Sequence, residues 1–331
     1  MQPTVPDDDL IRIAVGLACR APSVHNTQPW RWRYDGGVLD LSADSHRRLA
    51  SADPSERQLV VSCGAALHHL GTASTALGWL ADIRRVPDQA SPSHVAQIRF
   101  HHYTRSPQSH DLDLLSAIRR RYSDRGPFDP VDPNTLSPAS LKDMVRGHGV
   151  HLTVLPHSAR PVLAAATELT AASRRLDPTY QTELYWWAGH SLPEDGIPTE
   201  ALATADNQAR VDIGRRFPIG SDSGSVLHPD QATVLVLSTD GDDRGAWVRT
   251  GEALSAVLLE ATATGHATCP LTHMTELPQS RKMIGSLLPD SGVPQVLIRI
   301  GSTGTQVPPR QTPRRPIESV LTIVPRPGQR C

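Results

Sequence analysis

The side chains able to do chemistry in this sequence are mostly arginines, and they fall in two clusters. "IRRRYSDRGPF" sets Arg119, Arg120, Arg121 and Arg125 around a helix end, with Tyr122 and Ser123 among them. "TPRRP" sets Arg314 and Arg315 side by side near the C-terminus. Guanidinium groups hold phosphate oxygens in bidentate fashion, and a serine hydroxyl adds a donor. Brought together by a fold, the two clusters could hold a phosphate; taken alone, "RRR" reads better as a solvated basic helix face. A third stretch, "RAPSVHNTQPWRW" (residues 20–32), sets hydroxyl, imidazole and amide groups beside two tryptophans. It can close a helix and open a strand anchored by Trp30 and Trp32, or wall a site for a flat ligand with a polar edge.

Other familiar chemistry is missing. The chain has no Gly-rich P-loop, no GxSxG elbow, no HExxH and no GxGxxG. "GSDSGS" (220–225) lacks a strand-turn-helix setting and reads as a mobile loop. His68 and His69 lie among Ala and Leu and read as packing. Cys19, Cys63, Cys269 and Cys331 form no CxxC pair, and Cys19 and Cys63 fall on apolar helical faces. Buried thiols are the expectation.

The elements that must position these groups follow from periodicity. Leu10, Ile13, Ala14, Leu17 and Ala18 recur at helical spacing and predict a first helix over about Asp7–Arg20. "RWRY", Gly36-Gly37 and "VLDL" predict a β-hairpin. A long apolar helix follows, stopped near Gly78, and then two strands, "ADIRRV" and "HVAQIRF". Beyond a polar gap come a helix "DLDLLSAIRRRYSDR", a strand "VHLTVL" and an amphipathic helix "ARPVLAAATELTAASRRL". A buried strand "ATVLVLS", a second long helix (about Asp243–Gly265) and a strand "PQVLIRIG" precede a proline-rich tail.

The two long helices superimpose in sequence. A shift of 187 positions carries Arg57 onto Arg244, Val61 onto Val248, Gly64 onto Gly251, Thr75-Ala76 onto Thr262-Ala263 and Gly78 onto Gly265. Glycine inside a helix costs about 1 kcal/mol and marks close packing. The matched glycines therefore predict a duplication: two α+β halves whose long helices meet at a centre of small residues.

Taken together, these motifs resemble the flavin-dependent nitroreductase family, whose members bind FMN at a dimer interface. Its Arg-x-Ser-x-Arg/Lys motif is matched by Arg121, Ser123 and Arg125, with Tyr122 inside. Its Pro-Ser-x-x-Asn-x-Gln-Pro-Trp loop is matched by Pro22, Ser23, Asn26, Gln28, Pro29 and Trp30, with Val24 within it. A Gly followed five residues later by Pro is matched by Gly265 and Pro270, and a basic tail residue by Arg315 beside Arg314. The resemblance implies that Arg121, Tyr122, Ser123, Arg125, Arg314 and Arg315 serve the FMN phosphate end. It implies that Pro22, Ser23, Val24, Asn26 and Gln28 line the flavin ring and ribityl chain, and that Pro270, Leu271, Thr272 and His273 meet the flavin edge. No catalytic side chain or metal ligand is implied.

The phosphate motif occurs only in the second half and the loop only in the first. One composite site per chain follows, as in a nitroreductase dimer fused into a single polypeptide of the mycobacterial Acg type. The expected halves are residues 1–105 and 106–331, with sheets of antiparallel type around the long helices. The second half carries an insertion at about 177–230. Its "YWW" (Trp186, Trp187) and "GRRFPIGSDSGS" either pack as core or form a lid.

The 331 residues suffice for a substantial core, and a net charge of −1 argues against nucleic acid. No apolar run approaches the roughly 20 residues of a membrane span, and "MQPTVPDDDL" lacks the pattern of a signal peptide, so a cytoplasmic monomer with an internal pseudo-dimer is expected. The resemblance implies an oxidoreductase taking hydride from NAD(P)H and passing it to an electron-poor acceptor, a nitroaromatic or a quinone. The alternative is a flavin-sequestering protein with little turnover.

Overall fold

The computed structural model describes residues 5–325 apart from 89, 133, 190–193, 219–228 and 304–311; "GSDSGS" and Cys331 lie outside the described residues. In the first half, α1 (Asp8–Ala18) starts where the Asp7 carboxylate accepts from the Leu10 N–H at 2.8 Å. Strands β1 (Trp30–Asp35) and β2 (Val38–Ala43) are joined by Gly36-Gly37 at φ +55° and +92°, the backbone a tight hairpin turn requires. The long helix α2 (Arg57–Ala76) stops at Gly78, φ +85°, and leads into β3 (Trp79–Arg85) and β4 (His94–His102).

The second half runs α3 (Ser109–Arg120), α4 (Pro138–Arg146), β5 (His151–Leu155), α5 (Arg160–Arg175), α6 (Pro178–Trp187), α7 (Ala205–Arg210) and β6 (Thr233–Thr239). It continues with α8 (Arg244–Ala263), β7 (Ala267–Leu271), α9 (Pro278–Gly285) and β8 (Val293–Gly301). The tail adds α10 (Ile317–Val320) and β9 (Leu321–Ile323).

The sheets show the duplication in their topology. The first has the order β3-β4-β2-β1-β9 and the second β7-β8-β6-β5. Leaving β9 aside, β1, β2, α2, β3 and β4 correspond one by one to β5, β6, α8, β7 and β8. The register irregularity at Leu41/Ser42 has its counterpart at Leu237/Ser238, and Gly265 at φ +83° ends α8 as Gly78 ends α2. Strand β9 joins the first sheet parallel to β1, so the last strand among the described residues closes the sheet of the other half. Where the first half turns in two glycines, the second inserts residues 156–232 between β5 and β6, a wider span than the 177–230 expected because α5 belongs to it.

The α2–α8 crossing holds the halves together. A Cβ on Gly251 would stand 2.0 Å from the Val61 carbonyl oxygen, and one on Gly64 2.2 Å from that of Val248. Only glycine permits this approach. Strand β1 alternates buried and exposed, whereas β6 and β8 are buried almost throughout. Both faces of the second sheet are covered: α5 of the insertion and α9 lie on one (Leu163, Ala166 and Ile284 on Val236 and Leu297), and α8 and α4 on the other.

Several details differ from the sequence reading. The helix expected to reach Arg125 ends at Arg120, and Arg121 caps it with extended backbone. "ATCPL" is a strand, β7; it lies at a sheet edge, where proline is tolerated. Helix α4, announced by Ser137 as cap and Pro138 at its first turn, and the tail strand β9 were not expected from the sequence; they are only nine and three residues long.

Candidate functional site

A chamber opens where the two halves and the insertion meet. From the first half come Pro22 to His25 and the start of α2, Arg57 to Ser62. The second half contributes Ser123, Arg125, Cys269 to His273 and, from β8, Gln295 and Arg299. The insertion closes the remaining side with Ile197, Val211 and Gly214 to Phe217. Arginines and histidines line it, and no described carboxylate does. Its interior, about 120 Å³, is smaller than the roughly 300–1,000 Å³ of a ligand pocket. A flavin-sized guest has to displace wall side chains.

The 22–28 loop is held in a costly conformation. His25, Asn26 and Gln28 have φ of +48°, +56° and +49°, each worth about 1–3 kcal/mol of strain for a residue other than glycine. The Ser23 hydroxyl accepts from the Gln28 N–H at 3.0 Å, and Ser62 of α2 accepts from Val24 at 3.1 Å. Trp30 and Trp32 are fully buried against Cys19, whose thiol is pushed up to about 12, chiefly by burial. Both readings of the stretch thus hold in part: the tryptophans anchor, and Pro22 to His25 face the chamber.

Asn26 and Gln28 do not line the chamber. The Asn26 amide donates to the Gly196 and Pro313 carbonyls at 2.8 and 3.1 Å, and that of Gln28 to Glu194 at 2.8 Å. The Gln28 side-chain oxygen accepts from the Arg315 N–H at 2.9 Å. These amides clasp the insertion and the C-terminal arm.

Beyond Ser23 lies a cluster of arginines. Arg20 of the first half donates to the Arg119 carbonyl at 2.9 Å, at the end of α3. Arg121 and Arg314 donate to the Arg20 carbonyl at 3.3 and 3.1 Å, just past the end of α1. Each half therefore caps the other's helix. Arg121 is buried, and its Nε and Nη1 have no partner. No described carboxylate pairs with Arg121 or Arg314. Burial, then Arg314 and Arg20, pulls the Arg121 guanidinium down to about 9. Because a guanidinium keeps its proton, this unfavourable setting makes it a strong attractor of anions. Arg315 bonds the Gln28 and Ser319 carbonyls, and Tyr122 lies outside the chamber, its phenol pushed up to about 12 by burial and Asp124.

Arg125 turns into the chamber, donates to the Ala201 carbonyl at 2.9 Å, and sets its guanidinium 5.2 Å from the Phe217 ring centre. His273 has Nε2 at 3.1 Å from the Thr167 hydroxyl, and burial holds its imidazole neutral. His25, buried, presents its ring edge-on to Phe217 at 5.7 Å with neither nitrogen partnered. Burial, then Arg215 and Arg125, keeps it well below the usual histidine range.

The insertion is fixed to both halves. Glu183 of α6 accepts from the Ser51 and Ala52 N–H groups at 3.0 and 2.9 Å, and Asp195 pairs with Arg47. On the other side Arg215 pairs with Glu276 and donates to the Tyr180 hydroxyl at 2.5 Å. The tryptophans singled out in the sequence stay outside the chamber. Trp187 packs near Leu49 beneath the Arg47 guanidinium, and Trp186 is 61% exposed. The aromatic that enters is Phe217.

No protein-family model matches the chain. A Mycobacterium tuberculosis protein, named provisionally as the NAD(P)H nitroreductase Acg, is 40% identical over 326 residues, covering 98% of each chain. The chain belongs to the Acg-type nitroreductase family. A second Mycobacterium tuberculosis protein with a provisional NAD(P)H nitroreductase name is 37% identical over 323 residues, 96% of this chain and 92% of its own. Among solved structures, the FMN-dependent nitroreductase NfnB of Mycobacterium smegmatis in complex with NADPH matches 64% of this chain and 97% of its own, at 15% identity and a TM-score of 0.39.

In this Acg-type chain the fold brings Pro22, Ser23, Val24, Ser123, Arg125 and Pro270 to His273 to one chamber. It gathers Arg121 and Arg314 beside the chamber and leaves Asn26, Gln28, Tyr122 and Arg315 outside its wall. Sequence reasoning missed His25 and Phe217 as wall residues. His25 was visible as the imidazole inside the matched loop; Phe217 had no signal beyond being the aromatic of the insertion's arm. Among the described residues no group of His, Cys, Asp and Glu could hold a metal, and no helix is long and apolar enough to cross a membrane.

Proposed function

We propose that the chain is an FMN-dependent oxidoreductase with one composite site. The observation that carries this is Arg121, buried with two unpartnered guanidinium nitrogens and no described carboxylate, with the half-buried Arg314 beside it, next to a chamber built from both halves. The donor set suits FMN: unpartnered guanidinium nitrogens for a phosphate, and Arg125, His25 and His273 for a polar heterocycle. When bound, FMN supplies hydride chemistry, from NAD(P)H to an electron-poor acceptor such as a nitroaromatic or quinone. The protein's part is positional. Arg121 and Arg314 hold the anionic end, the strained loop presents its wall, and the insertion excludes water.

We read residues 1–105 and 106–331 as the two halves, with the C-terminal arm returning to the first. One chain would then act as a monomer with an internal pseudo-dimer interface, in the cytoplasm, where its described cysteines stay free. The test is to titrate full-length protein with FMN and then add NADPH without oxygen. Retained FMN that NADPH bleaches supports an oxidoreductase; failure to retain FMN overturns the reading.

The second reading, a flavin-sequestering protein, is favoured by one observation. The insertion is bonded to both halves over a chamber of about 120 Å³, so a nicotinamide would reach a flavin there only if the insertion moved. FMN retained but untouched by NADPH supports it.

A further inference from the structure

Most polar groups of the chamber wall are already satisfied. Arg57 donates to the Gln295 and Thr275 carbonyls at 2.6 and 2.7 Å, and Arg299 to Asp230 at 2.5 Å. Arg215 is taken by Glu276. Gln58 Oε1 and His273 Nδ1 are unpartnered, but each of those side chains keeps one hydrogen bond, whereas His25 keeps none. It is 6% exposed, lines the chamber, and has two unpartnered ring nitrogens. A neutral imidazole carries one N–H donor and one bare acceptor, and a buried polar group without a partner is unfavourable unless a guest supplies one. Its backbone is also held left-handed at φ +48°, an uncommon conformation for a residue other than glycine.

We propose that His25 is a ligand-contacting residue whose ring hydrogen-bonds the polar edge of the planar heterocycle that fills the chamber. Under the function proposed above, on which this rests, that heterocycle is the flavin of FMN. The imidazole stays neutral between Arg125 and Arg215, so the contact is a donor–acceptor match and not an ion pair. The edge-on Phe217 ring limits the directions open to it.

The experiment compares full-length wild type with His25→Gly, His25→Phe and His25→Asn. Two quantities are read: FMN affinity by fluorescence titration, and the melting temperature of the flavin-free protein. The expected result is FMN affinity at least tenfold weaker in His25→Gly and His25→Phe. His25→Asn keeps a donor and acceptor and tolerates the backbone, so it should stay within about threefold of wild type. Flavin-free His25→Gly should melt at the wild-type temperature or higher, because strain is released and no internal bond is lost. Wild-type affinity in His25→Phe would overturn the proposal. So would a clear fall in the flavin-free melting temperature of His25→Gly, which would mark a structural role. Wild type that folds but binds no FMN would overturn the underlying reading as well, a result distinct from either.

Discussion

Arg121 carries a charge into the interior with one donor used and two idle. Its neighbours Arg20 and Arg314 add to the unfavourable potential. A bound phosphate would complete its hydrogen bonds and offset the repulsion, and a charge-assisted bond of this kind is worth about 1.5–3 kcal/mol. Arg121→Ala should therefore weaken FMN binding by roughly 10- to 100-fold in equilibrium dialysis. Flavin-free Arg121→Met, similar in length and uncharged, should be at least as stable to urea as wild type. Unchanged affinity in Arg121→Ala would mean the cluster only caps helices. The resemblance to nitroreductase motifs, more than periodicity, made Ser123, Arg125, Pro22 to Val24 and Pro270 to His273 legible, and the fold brings them to one chamber wall. Asn26 and Gln28 show what was not legible. Their amides have the chemistry for a ligand, but main-chain carbonyls more than 160 positions away reach them first. Local spacing carries no information about such partners.

At the scale of elements, the crossing of α2 and α8 decides whether a composite chamber exists. Gly251→Ala would drive a methyl into the Val61 carbonyl at 2.0 Å and the Ala65 N–H at 2.7 Å. Backbone cannot yield there without separating the helices, so a loss of about 3 kcal/mol or more is expected. Gly71 lies in the partner helix α2 with open space around it, and Gly71→Ala should gain up to about 1 kcal/mol. Urea unfolding of the pair checks this; equal effects would refute the close-crossing account. A second element-scale device ends the insertion. Asp230 accepts from Arg299 and Arg160 before β6 begins. Burial alone would raise its carboxyl, but Arg299 and the bonds from Arg160 and Phe128 outweigh it and hold the group below the usual aspartate value. A depressed carboxylate stabilises the fold above its unfolded value, near 3.9, and the benefit fades as pH falls below that. Wild type should lose melting temperature between pH 5 and 3. Asp230→Asn should start about 3–5 kcal/mol lower, with two cations left short of a partner, and change less over that range. The long helices, the hairpin and the duplication were readable because period and glycine signals are strong. Strands β7 and β9 were not, since each is short and its pairing partner is distant in sequence.

At the scale of the molecule, duplication and asymmetry act together. The 187-residue shift that relates the helices carries Thr272, in the chamber wall, back to Arg85. The Arg85 guanidinium grips the buried carboxylate of Glu252 on α8 at 2.6 and 2.8 Å, so charge and bulk fill the place where a second chamber would lie. Acid-released flavin should therefore number one per chain, and sedimentation should show a monomer; two flavins per chain would refute the single composite site. The insertion occupies only one of the two hairpins, the one beside this chamber, and both halves hold it. If it acts as a lid, hydride delivery from NADPH is limited by release of the Arg215–Glu276 pin, because Arg215 precedes Phe217 in the arm that fills the wall. Breaking the pin with Arg215→Ala alone would strand a buried carboxylate, so the informative variant joins Arg215→Ala to Glu276→Gln. Stopped-flow absorbance without oxygen should show NADPH reducing the flavin of this double variant at least tenfold faster than that of wild type. Dithionite, a small reductant that needs less room, should reduce both at similar rates. Rapid NADPH reduction of wild type would remove the need for a lid and favour an open oxidoreductase. Equally slow reduction of both forms, with FMN retained, would place the obstacle in the chamber wall itself and favour sequestration.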